Sequence, residues 1–142
     1  MSAILEVLGG RRAMQGDPAG VLEWSASIHA GLPVAAALAF KDALHLTKKE
    51  LGALLGVSSR TLARWQPRKS KLDPVSGDRL VRSARLFALA AEVLEDQEAA
   101  VRWLRTPQRA LGAAVPLELA ETDVGARAVE AILGRMEHGV YT

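Results

Sequence analysis

Arg60 and Arg64 stand four residues apart in the stretch SSRTLARWQPRK, residues 58–69. On a helix that spacing puts both guanidinium groups on one face. A guanidinium carries parallel donors that match the O6 and N7 acceptors of guanine in the major groove. Ser58, Ser59 and Thr61 add hydroxyls able to bond phosphates or bases. Arg68, Lys69 and Lys71 follow directly, as charges suited to neutralising phosphates. Together these types and spacings suit recognition of a nucleic acid. The alternative is a helical hairpin with an ordinary solvated basic face.

Other chemistry finds little footing. His29, His45 and His138 lie far apart and lack any metal-ligand spacing such as H-E-x-x-H. There is no cysteine, which removes disulfides, thiolate zinc sites and cysteine nucleophiles. No phosphate-binding Walker loop or G-x-S-x-G nucleophile turn is present. Glu95 and Asp96 form a charge cluster at a helix end and serve solubility. The expectation is a protein with no catalytic residues, no metal and no cofactor.

The arginines need a helix, and the helix needs a support. A helix-turn-helix packs two helices steeply across a tight turn. Thr47 and Glu50 have the S/T-x-x-E spacing of a capping box that opens the first helix. Leu51, Leu54 and Leu55 form its buried stripe, and Gly56 ends it. Gly52 is small where the two helices must touch. Ser58 caps the second helix, which Pro67 stops. Leu51, Leu55, Val57, Leu62 and Trp65 are expected to fill the shared core. Ser59, Arg60, Ala63 and Arg64 then face outward on a recognition helix.

The remaining elements are also helical. The composition is rich in Leu and Ala with only 4% aromatics, which favours helices, and no strand is expected. Residues 1–18 read as a flexible lead-in, on the strength of the GGRRAMQGDPAG stretch at residues 9–20. A helix runs from about Ala19–Val21 to Ala30, and Gly31 ends it. Pro33 suits the first position of the next helix, VAAALAFKDALHL. A long helix covers roughly Gly77 to Leu94, with a seam of Leu80, Ala84, Phe87, Ala91 and Leu94 at alternating spacings of four and three. Gln97–Arg105 is a short helix, Thr106–Pro107 resembles another helix start, and Pro116 breaks the chain. Thr122 opens the last helix, with Ala128, Val129, Ile132, Leu133 and Met136 inward and Gly139 at its end. The expected fold is an all-α helical bundle. Its divisions are the lead-in at 1–18, a helix-turn-helix region at 19–72, a connecting and dimerisation helix at 73–98, and a small helical C-terminal domain at 99–142.

Charge is unevenly spread. The chain of 142 residues has a net charge of only +2. Between Ser58 and Arg85 eight Lys or Arg face two Asp; from Pro107 onward three Arg face five Asp or Glu. A basic middle and an acidic end suit two different partners. The longest apolar stretch, LPVAAALAF, is too short to cross a membrane, and MSAILEVLGGRR places its arginines after the apolar residues, unlike a secretory signal. The expectation is a cytoplasmic protein with no membrane partner.

The second half carries a family resemblance. Trp103–Leu104, Pro107, Leu111–Gly112, Pro116–Leu117, Thr122, Gly125, Val129–Glu130 and Gly139 follow the pattern of the C-terminal domain of Xre/MbcA/ParS bacterial antitoxins. GLP at Gly31, TLARW at Thr61 and DRL at Asp78 also resemble this family. The sequence departs from it in SGDRL, where serine is expected directly before Asp78, and in Trp65, where a basic residue is common. The resemblance spans about Val21 to Thr142. It implies a type II antitoxin that binds and neutralises a toxin encoded beside it, commonly of the NAD-depleting RES type. It also implies repression of the shared operon by binding operator DNA. The competing readings are a stand-alone helix-turn-helix repressor, a small-molecule-sensing repressor and, last, an enzyme.

Two surfaces follow. One recognition helix reads too few base pairs, so a homodimer within a larger toxin–antitoxin complex is expected. Leu80, Ala84, Phe87, Ala91 and Leu94 are its candidate seam, unless they pack inside their own subunit. Val140 and Tyr141 lie beyond a helix already ended by Gly139, as a frayed end or as an anchor for a partner. The resemblance favours the anchor. Glu137, His138, Gly139, Val140, Tyr141 and Thr142, with Arg135 at the edge, are therefore the candidate toxin-binding residues.

Overall fold

A computed structural model describes residues 2–139. Among these residues it has ten α-helices and no strand. Two compact units divide the chain, one ending at Ala84 and the other starting at Arg85.

The first unit holds α1 (Ser2–Val7), α2 (Gly10–Met14), α3 (Val21–Ala30), α4 (Val34–Ala43), α5 (Lys48–Leu55), α6 (Ser59–Arg64) and the first half of α7 (Pro74–Leu94). Helix α4 is its centre and packs against α1, α2 and α5. Its Val34, Ala36, Ala37 and Phe40 are fully buried, with Leu44, Leu51, Leu55 and Leu80 around them. The alanines keep α4 thin enough for neighbours to approach on several sides.

The flexible lead-in expected at residues 1–18 instead holds two helices, Ser2–Val7 and Gly10–Met14. Ile4, Val7, Leu8 and Met14 are buried, and α1 and α2 both pack on α4. Ile4, Val7 and Leu8 have the spacing of one helical face, so the signal is in the sequence. The glycine pair at Gly9 and Gly10 masks it as a loop.

Prolines mark boundaries one step away from the expected place. Pro33 is not the first residue of α4; it is the N-cap, in an extended conformation. There it pairs as an isolated bridge with Lys71, and the Val34 amide donates to the Ser70 carbonyl at 3.0 Å. Helix α7 begins at Pro74, three residues earlier than Gly77. Asp73 accepts a hydrogen bond from the Ser76 amide at 2.8 Å, so an Asp-Pro pair starts the helix.

The second unit holds the rest of α7, then α8 (Gln97–Arg105), α9 (Pro116–Leu119) and α10 (Asp123–Glu137). Helix α9 packs against both α8 and α10. Leu86, Leu104, Ala120, Val129 and Leu133 are fully buried. Asp96 caps α8 and Thr122 caps α10, each side chain accepting from the amide three residues on. Thr106–Pro107 does not start a helix. Thr106 ends α8, and Gln108 bridges to Ala114 around a single 3-10 turn at Arg109–Leu111. Pro116 opens α9 rather than breaking the chain.

The long seam divides by burial. Leu80 and Ala84 are 0% exposed and Phe87 5%, all within the single chain. Ala91 and Leu94 are half-buried. The seam as a whole is thus not an open surface: its first three residues already belong to the subunit's own core.

Candidate functional site

The helix-turn-helix forms as α5, a short turn and α6. Thr47 and Glu50 make both halves of the capping box, at 3.1 and 2.8 Å. Gly56 ends α5 with φ at 72°, a conformation that disfavours any side chain. Gly52 is needed for a different reason. A Cβ there would meet the Val57 carbonyl oxygen at 3.0 Å and Leu62 Cδ1 at 3.1 Å. The turn and the first inward leucine of α6 therefore rest directly on the α5 backbone.

Ser58 caps α6 by accepting from the Thr61 amide at 3.2 Å, and the two hydroxyls also bond each other at 3.1 Å. Both side chains thus hold the helix start before they touch any ligand. No residue of α6 is fully buried. Leu62 is half-buried, while Ser59, Arg60, Thr61, Ala63 and Arg64 are exposed. Arg60 and Arg64 share the outward face, as their spacing requires.

Trp65 is not a core residue of the helix. It lies just past α6 in extended backbone and is half-buried, as are Val57 and Leu62; only Leu51 and Leu55 of the expected shared core are fully so. With α6 ending two residues before Gln66–Pro67, the chain closes a tight turn. The Lys69 and Ser70 amides donate to the Gln66 carbonyl at 2.9 and 2.8 Å, and the Gln66 amide donates to Ser70 Oγ at 2.8 Å. Arg68 and Lys69 project from this closed turn and are exposed. Its far side is tied down by the Leu72 amide donating to the Leu32 carbonyl at 2.8 Å. The basic patch is thus a short helix followed by a fixed turn.

Ser76 is a residue that sequence reasoning missed. It is 3% exposed, and its hydroxyl donates to the Leu55 carbonyl at the end of α5 at 3.0 Å. It joins the start of α7 to the helix that supports α6. A serine near an Asp-Pro helix start is a recognisable signal for capping, but not for this long-range bond.

In the second unit, α10 buries Ala126, Val129, Ile132 and Leu133. Ala128, expected inward, is exposed; Ala126 takes its place, and Met136 is only half-buried. The outward face carries Val124, 80% exposed, then Ala128, Ala131 and Arg135, at spacings of four, three and four. Arg127 flanks it, bonded to Asp123 at 2.8 Å, and that hydrogen bond with its charge raises the Arg127 pKa above the ordinary value. Glu137, His138 and Gly139 are exposed at the end of the helix. Val140, Tyr141 and Thr142 lie outside the described residues. Glu130 reaches Arg85 of α7 at 3.6 Å.

Both units match known families. Residues 23–85 match the model of the antitoxin Xre-like helix-turn-helix domain, and residues 89–139 match that of the antitoxin Xre/MbcA/ParS C-terminal toxin-binding domain. An Antitoxin Xre of Yersinia enterocolitica serotype O:8 is 33% identical over 106 residues, 71% of this chain and 72% of that protein. The chain belongs to the Xre/MbcA/ParS antitoxin family. A second relative, Antitoxin Xre of Photorhabdus laumondii subsp. laumondii, is 27% identical over 119 residues, 83% of this chain and 80% of its own length.

In this antitoxin the boundary between the two matched regions falls within a few residues of the boundary between the compact units, inside α7, while the first match begins at Glu23 and leaves α1 and α2 outside it. All seven nucleic-acid candidates, from Ser58 to Lys69, fall in the helix-turn-helix match and are brought together on α6 and the turn after it. Arg135, Glu137, His138 and Gly139 fall in the C-terminal match, at the end of α10. Val124 and Ala131, on the same outward face, were not singled out from sequence. An apolar residue in a helix's first turn reads as core until its neighbours are placed. Among the described residues no helix is long and apolar enough to cross a membrane, and no cluster of metal-binding side chains is found.

Proposed function

We propose that this antitoxin neutralises a RES-type, NAD-depleting toxin through its second unit and represses the operon of the pair through its first. The observation that carries the reading is the pairing, on one chain, of a helix-turn-helix with a C-terminal module of the toxin-binding kind. NAD chemistry would belong to the toxin, so this chain would need neither catalytic group nor cofactor.

On DNA, Arg60 and Arg64 contact bases in the major groove from the outer face of α6. Ser59 lies at the helix start, with Ser58 and Thr61 shaping it. Arg68 and Lys69 neutralise phosphates from the closed turn. A two-fold dimer doubles the site that one short helix reads.

On the toxin, Arg135, Glu137, His138 and Gly139 at the end of α10 form the contact edge. Val140, Tyr141 and Thr142 continue it toward the toxin's active-site entrance. The outward line of Val124, Ala128 and Ala131 extends the same surface, an exposed apolar face on a helix whose other side already fills the core.

The deciding experiment is co-expression with the adjacent reading frame, followed by purification and measurement of cellular NAD. A stable complex and preserved NAD are expected. Truncation after Gly139 should weaken neutralisation while operator binding persists. If the neighbour's product neither co-purifies nor depletes NAD while operator DNA is still bound, a stand-alone repressor replaces this reading.

A further inference from the structure

Helix α3 buries few of its ten residues. Trp24 is its only fully buried residue, with Ser27 and Ile28 half-buried beside it. The inner side rests on the start of α7, where a Cβ on Gly77 would lie 3.6 Å from Ile28 and Leu32. The outer side is open. Val21 is 82% exposed and Leu22 84%, the most exposed large apolar side chains among the described residues. Ser25, Ala26 and His29 continue the same face and are exposed too.

That face is unusual in its charge. From Val21 to Ala30 the one carboxylate is Glu23, which sits on the flank and accepts from the Ala19 amide at 2.7 Å; there is no Lys or Arg. A surface helix commonly turns charged residues to solvent. A face that presents Val, Leu, Ser and Ala can meet its own image with no like charges opposed. The outer face of α10 is less suited, because it carries Arg135 beside its apolar residues.

We infer that the outer face of α3 (Val21, Leu22, Ser25, Ala26) is where a second copy of this chain docks across a two-fold axis. A second copy fits for two further reasons. The expected dimer seam on α7 has lost Leu80, Ala84 and Phe87 to the subunit's own core. A reader with a six-residue recognition helix needs two copies to span a useful operator. In this last respect the inference rests on the repressor reading above. An isologous contact puts the middle of α3 beside its own copy, with the helices antiparallel. A pair of ten-residue helices makes a small interface, so association is weak in the free protein and strengthens when both copies sit on DNA.

The test uses the full chain. Wild type at rising concentration should sediment as a monomer–dimer equilibrium. The double substitution Val21→Glu with Leu22→Glu should weaken that dimer by at least about tenfold, because it sets like charges across the axis. Both positions are exposed, so helix content and melting should not change. Since the chain has no cysteine, Ala26→Cys gives a clean second measurement. On mild oxidation it should form an intermolecular disulfide, while Ala131→Cys on α10 should not. On a two-half-site operator the glutamate variant should lose cooperativity and keep single half-site binding. A wild type that stays monomeric to hundreds of micromolar, or a glutamate variant that dimerises as tightly, overturns the assignment. So does equal cross-linking through α10. Failure of the wild type to bind any operator would instead overturn the repressor reading, and sedimentation would still decide the interface.

Discussion

Helix α6 and helix α10 carry the proposed DNA and toxin interfaces and are held in opposite ways. Helix α10 has fifteen residues and an inner stripe of Ala126, Val129, Ile132 and Leu133 that anchors it directly. Helix α6 has six residues and no fully buried side chain. Its position is borrowed: from the bare backbone at Gly52, from the Ser58 cap, and from α5, which Ser76 ties to α7. A long helix can expose one whole face because the other supplies its stability. A short helix that must offer nearly all its side chains to a ligand has to be placed by its neighbours. Interfaces on the two should therefore respond to different substitutions.

The largest effect is expected at the anchor of α10. Leu133→Ala removes a fully buried side chain and should cost about 2–5 kcal/mol of stability. Thermal unfolding followed by circular dichroism measures it. Loss of toxin binding at temperatures where operator binding survives would sharpen the contrast; simultaneous loss of both would break it. Next comes the support of α6. Gly52→Val pushes branched carbons into the Val57 carbonyl and Leu62, at a cost of about 1–3 kcal/mol. Here operator binding should fail first and toxin binding should persist, as read by gel shift and pull-down on one preparation.

Smaller effects probe the contacts themselves. Arg60→Ala leaves α6 in place and should cost about 1–3 kcal/mol on the operator, with relaxed preference at one base position. An unchanged footprint and affinity would remove α6 from the groove. Ser76→Ala breaks the bond to the Leu55 carbonyl and should lower stability by about 1 kcal/mol. If α6 borrows its position through α5, operator affinity falls with it. The mildest is Lys69→Ala, on the exposed turn. It should weaken all DNA equally and flatten the salt dependence by about one unit of slope.

Local rules were legible in the sequence wherever neighbours in the chain satisfy them. Thr47 with Glu50, Ser58 with Thr61, and Thr122 with Gly125 are bonds over three residues, so their spacing suffices to place a helix start. The glycines at 52 and 56 work within one hairpin, so they too could be read. The family resemblance in the second half rests on such fixed spacings and agrees with the matched domain at residues 89–139.

What the sequence left undecided were the faces. Periodicity says that one side of α7 or α10 is apolar; it cannot say which neighbour covers it or where the cover stops. Leu80, Ala84 and Phe87 turned out to be covered by their own chain, whereas Ala128 was left in solvent and Val124 with it. The apolar α3 pair at Val21 and Leu22, to which helix periodicity assigns no face, stands exposed in the fold. Alanine and valine are tolerated on either side of a helix, so their types carry little information about direction. Chain-local hydrogen bonds are determined by sequence because both partners arrive together. Burial depends on which surfaces compete for the same core, and that competition is settled only when the helices have packed.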